Sequence, residues 1–89
     1  MNSDQKVLEK EGYIPHAVVG LMIENDNNLI KAWRLYRGLT QAQLAEQSGL
    51  KQSAIARLES NVHAPTFATR EKLAKAMDIH PQQLTLDEG

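Results

Sequence analysis

Residues 39–60 read LTQAQLAEQSGLKQSAIARLES. Two short helix-like runs, each opening on a glutamine, stand either side of a Ser-Gly-Leu break. Thr40, with Gln43 three residues on, has the form of a capping box, and Leu44 and Ala45 supply the first run with an apolar stripe. Gly49 ends that run where a turn needs a positive φ. The second run, over residues 52–60, turns Ile55 and Leu58 toward a core. Gln52, Ser53, Ala56 and Arg57 are left facing outward.

A helix, a turn of about four residues built on glycine, and a second helix make the helix-turn-helix pattern. The residue types suit contact with DNA. Ala45 is small where two helices cross closely. Glutamine makes two hydrogen bonds to an adenine edge in the major groove, and arginine two to a guanine edge. Gln41 stands at the positive end of the first run, where main-chain amides and a side-chain donor hold a phosphate.

The flanks read as further helices. Pro15 suits a first helical turn, and Ile14, Val18, Leu21 and Met22 fall on one helical face. Asn28 is a good N-cap for a helix over residues 29–37 that carries Leu29, Ala32, Trp33 and Tyr36 along one side and stops at Gly38. Beyond the central pair, Asn61 reads as a left-handed terminator. Thr66 caps a helix with Leu73, Ala76 and Met77 inward, and IHPQQL reads as a last short helix with Pro81 in its first turn. Residues 1–11 are polar and charged and predict at most a marginal helix. No strand-like alternation or repeat is present, so the fold class is all-α.

Composition agrees with one small folded domain. Of 89 residues, 42% are hydrophobic and 24% charged, a balance that argues against disorder. A chain this short buries only about 60–65% of its unfolded surface, which makes dimerisation a natural source of added stability. With no cysteine there is no disulfide or thiolate metal site, and His16, His63 and His80 make no metal-binding spacing. The longest apolar run, near residues 17–23, is too short for a membrane span, and the expected location is cytoplasmic. The net charge of −1 conceals a gradient. Residues 1–27 carry two lysines against five acidic side chains, residues 28–65 five basic against two acidic, and residues 66–89 three basic against four acidic. The basic block contains the opening stretch, as a phosphate binder requires. Ser48, Ser53, Ser60 and the histidines lack an orienting carboxylate at a telling spacing, so no enzyme is expected.

Over residues 28–84 the sequence resembles the Cro/C1-type (Xre) helix-turn-helix family. The resemblance rests on Arg34, Gly38, Leu39, Thr40, Gln41, Leu44, Ala45, Gly49, Leu50, Gln52, Ile55, Leu58 and Glu59. It implies a compact five-helix domain over residues 28–86, preceded by a helical segment over residues 1–27. It further implies base contacts from Gln52, Ser53 and Arg57, with Ala56 on the same face, and phosphate contacts from Gln41, Lys51, Thr40 and His63. Arg34 and Glu59 match the family's ion pair between its first and third helices. Lys51 stands where a Ser or Thr cap is common. Arg70 stands where an apolar residue is frequent, which implies either exposure or a carboxylate partner at an interface.

Residues 14–41 also resemble the segment before the helix-turn-helix in HigA-like antitoxins of type II toxin–antitoxin modules. That likeness implies a homodimeric repressor of its own operon on a palindromic operator, able to neutralise a RelE-like toxin, with no cofactor, metal or membrane. Under it Val18, Leu21 and Met22 either pack within the chain or meet a toxin or second subunit. The acidic N-terminal part complements a basic RNA-cleaving partner. The alternative is a phage-type or stand-alone Xre regulator with no toxin.

Overall fold

Asn28 shows how local chemistry starts each element. Its Oδ1 accepts a hydrogen bond from the Lys31 amide at 3.0 Å, meeting one of the donors that a helix start leaves unpaired. In a computed structural model of the chain, which describes residues 13–24, 28–60 and 65–84, six elements follow in order. They are α1 (His16–Glu24), α2 (Leu29–Tyr36), α3 (Gln41–Ser48), α4 (Gln52–Glu59), α5 (Phe67–Met77) and a 3-10 turn, Pro81–Leu84. Among the described residues there is no strand, and the fold is all-helical. The last element is the short helix expected around Pro81, tightened to 3-10 form. The expected marginal helix before Tyr13, the Asn61 terminator and His63 lie outside the described residues.

The stops are as local as the starts. Arg37 closes α2, and Gly38, at φ +74°, lets the Leu39 amide return to the Arg34 carbonyl at 3.0 Å. Gly49, at φ +78°, closes α3 and sends its own amide to the Ala45 carbonyl at 2.9 Å. Asp78 ends α5 at φ +59°, a left-handed position taken here by a short polar side chain in place of glycine.

The core lies between α2, α3, α4 and α5, with α1 laid against α2. Trp33, Leu44, Ile55, Leu73 and Met77 form its centre, and Val18 of α1 is as fully buried as any of them. Ile14, Leu21 and Met22 pack partly buried against the same core. The apolar face of α1 is thus taken up within the chain. Ala74 and Ile30 are buried in addition to the expected stripes, whereas Leu58 and Ala76 are only partly buried.

A buried polar side chain joins the first described residues to the last element. Gln83 has no exposed surface. Its Nε2 donates to the Tyr13 carbonyl, its Oε1 accepts from the His80 amide at 2.8 Å, and its carbonyl accepts from Trp33 Nε1 at 2.8 Å. Both ends of its amide are therefore satisfied in the interior, as a buried amide requires.

Candidate nucleic-acid interface

The α3–α4 pair is built to hold one helix out from the core. Thr40 Oγ1 accepts from the Gln43 amide at 3.0 Å while Gln43 Oε1 accepts from the Thr40 amide at 2.9 Å, a complete capping box. Across the turn, Ser48 Oγ donates to the Ala45 carbonyl and accepts from the Leu50 amide, both at 3.3 Å. Leu44 and Ile55 are fully buried on the two facing sides, and Ala45 leaves room for the crossing.

What fastens α4 at its far end is polar. Glu59 is buried, and its carboxylate receives Arg34 side-on, with Nε to Oε2 at 2.6 Å and Nη2 to Oε1 at 3.1 Å. Arg34 Nη1 donates to the Leu39 carbonyl at 2.8 Å, and Gln41 Nε2 donates to Glu59 Oε1 at 3.0 Å. Asn28 Nδ2 donates to the Leu58 carbonyl, so the N-cap of α2 also grips the end of α4. The pair's side chains are only 9% and 4% exposed. Attraction there works against the desolvation of both ions, and the two-point geometry with satisfied remaining donors is what lets it hold.

The opposite face of α4 is turned outward. Gln52, Ser53, Ala56 and Arg57 are all exposed, spaced over an arc of about 140° at 100° per residue. Lys51, just before them, is exposed and gives the helix no side-chain cap. Among the described residues the side chains of Lys51, Gln52, Ser53 and Arg57 have no hydrogen-bond or ion-pair partner. Arg57 also borders a groove shared with Leu50, Ala54, Leu58, Pro65 and Thr66, so it has apolar neighbours for its stem and a free guanidinium.

A family model described as helix-turn-helix matches residues 30–84, from the second residue of α2 to the end of the final 3-10 turn. The chain belongs to the helix-turn-helix family. The immunity repressor protein of Bacillus phage phi105 is 39% identical over 59 residues, which cover 66% of this chain and 41% of the repressor. The chain thus spans about two-fifths of that relative's length. No solved structure matches the chain.

Within the helix-turn-helix, the expected base-contact residues Gln52, Ser53, Ala56 and Arg57 share one exposed face of α4. The residues expected at phosphates divide. Lys51 is free, whereas Thr40 uses its hydroxyl to cap α3 and Gln41 uses an amide hydrogen on Glu59. Arg34 and Glu59 are joined as described above. Of the partner-surface candidates, Val18 is buried in the chain's own core and offers nothing to a second molecule. Leu21 and Met22 retain only part of their surface, and the residue of α1 that stands out is Ile23, 70% exposed.

Three features went unread in the sequence. Arg37 donates to the Met77 carbonyl at 2.9 Å, with its guanidinium 5.3 Å from the Trp33 ring centre and 5.4 Å from that of Tyr36. Nothing in the local pattern marks that role; the flat guanidinium finds aromatic faces supplied by its own helix. Arg70 is not fully exposed, and the sequence gives no sign of the contact it makes within the chain. It is half-buried, its guanidinium lies 5.7 Å from the Phe67 ring centre, and its buried Nε has no acceptor. Gln83 is the third, a polar side chain at a position that ordinary preference assigns to the surface.

Proposed function

We propose that the protein is a sequence-specific double-stranded-DNA-binding repressor that acts as a homodimer on a palindromic operator. The observation that carries this reading is the contrast between the two faces of α4. Its inner face is pinned by Ile55 and the Arg34–Glu59–Gln41 network, and its outer face presents four polar or small side chains, Gln52, Ser53, Ala56 and Arg57, with nothing of the chain's own to bind. Inserted in the major groove, Gln52 reads an adenine, Arg57 a guanine, Ser53 either, and the Ala56 methyl meets a thymine methyl. Lys51 and Gln41 bind the backbone that flanks those bases. The basic balance of residues 28–65 supplies the attraction to DNA.

A phage-type or stand-alone regulator fits better than an antitoxin. The phage relative carries the words immunity repressor, and the α1 face offered to a toxin is largely covered by α2. Removing residues 1–24 is expected to destabilise the fold, because it strips Val18 and its neighbours from the core. The toxin reading therefore needs point changes at Ile23 and Glu24, the exposed end of α1, and not a truncation. Loss of toxin rescue in those variants would restore it.

The test is selection from a random duplex library at one near-physiological salt concentration, since unspecific phosphate binding otherwise imitates recognition. A palindrome with half-sites spaced by about one helical turn is the expected product. A library that stays random removes the proposal.

A further inference from the structure

We infer that Glu59 is a positioning residue for DNA-backbone binding. It holds the Gln41 side-chain amide at the start of α3 so that the second Nε2 hydrogen is presented to a phosphate. The inference rests on the DNA-binding reading of α3 and α4. Gln41 is part-exposed, and its bond to Glu59 at 3.0 Å is the side-chain hydrogen bond that it makes among the described residues. One of two amide hydrogens is thus fixed and the other is unused. A glutamine left free would lose rotamer freedom each time it bound a phosphate; a glutamine already held has met that loss on folding.

A lone carboxylate is a poor choice for this task, because a negative charge beside a phosphate repels it. Here Arg34 removes the objection. Its guanidinium covers Glu59 side-on through Nε and Nη2, and its Nη1 holds the Leu39 carbonyl two residues before Gln41. The acid is neutralised locally, and the start of α3 is gripped from both its main chain and its side chain. A neutral amide displaces no counterion, so the Gln41 contact adds affinity without adding to the salt dependence of binding.

The experiment uses the selected operator with a single methylphosphonate, an uncharged replacement for one phosphate, moved along the backbone. In the wild-type protein one position is expected to lose about tenfold in affinity, the weight of one hydrogen bond to a charged group, and to lose nothing further in Gln41→Ala. Glu59→Gln alone leaves Arg34 buried without its counter-ion and destabilises the domain, so the decisive variant is Arg34→Met with Glu59→Leu, checked for helicity and melting temperature. That variant is expected to lose the methylphosphonate effect at the Gln41 position while a second position, coupled to Lys51, keeps its full effect. Survival of the Gln41 effect in the double variant overturns the inference. So does joint loss of both effects, which marks a general structural role. If wild type binds a preferred operator and no phosphate couples to Gln41, the inference fails and the repressor reading stands. If wild type prefers no sequence, both fall.

Discussion

Trp33 Nε1 donates to the main-chain oxygen of Gln83 at 2.8 Å, across 50 residues of sequence. The same Gln83 reaches the Tyr13 carbonyl through its side chain, so one buried residue ties the approach to α1, the centre of α2 and the final turn. Gln83→Ala leaves the Tyr13 carbonyl and the His80 amide without their side-chain partner and opens space beneath them. The expected cost is about 1–3 kcal/mol of stability. Urea unfolding followed by the fluorescence of Trp33, the single tryptophan, measures it. An unchanged midpoint contradicts the account of Gln83.

Two glycines make opposite predictions. Gly49 sits at φ +78° with open space where a Cβ would be, so Gly49→Ala meets no clash and suffers only the left-handed backbone, about 1–2 kcal/mol. Gly20 lies inside α1, also with nothing within 4 Å of a Cβ. Gly20→Ala is expected to stabilise by about 0.5–1 kcal/mol. Melting curves of the two variants should move in opposite directions.

The Arg34–Glu59 pair should behave as a coupled unit. Glu59→Leu strands the Arg34 charge in a site where it is nearly buried, at a cost of about 3–5 kcal/mol. Arg34→Met added to Glu59→Leu removes the stranded charge and is expected to recover most of that loss. Equal stability of the single and double variants would show that the pair is not the source of the effect.

Lys51 and Arg57 are both exposed cations near one surface, and salt separates their roles. Lys51→Ala is expected to lower the slope of log affinity against log salt by about 0.9 per subunit and to leave base preference intact. Arg57→Ala should cost about 1–3 kcal/mol on the operator and relax preference at one position. Titrations at several salt concentrations on operator and random duplex provide both numbers.

Much of this molecule is legible from short-range pattern. Asn28, Thr40 and Thr66 cap the helices that follow them, because a cap is made by a side chain and an amide two or three residues apart. The outward set on α4 follows from helical period alone once Ile55 is placed inward. What resisted reading depends on partners brought from far along the chain. Gln83 is buried because Trp33 and Tyr13 arrive from 50 and 70 residues away, and the Arg34–Glu59 pair, 25 residues apart, is legible only through the family resemblance. Gln41 reads as free for phosphate in sequence, yet one of its hydrogens belongs to Glu59, 18 residues on. Val18 could be placed on an apolar face, but only the docking of α1 on α2 shows which surface covers it.

The most direct measurement compares wild type with Gln52→Ala on the selected operator and on operators changed base by base, at one fixed salt concentration. If α4 reads the major groove, Gln52→Ala loses about 1–3 kcal/mol on the selected sequence, and its penalty vanishes at one symmetric pair of positions where the bases have been changed. An equal loss on every sequence, or no loss on any, contradicts a base-reading α4.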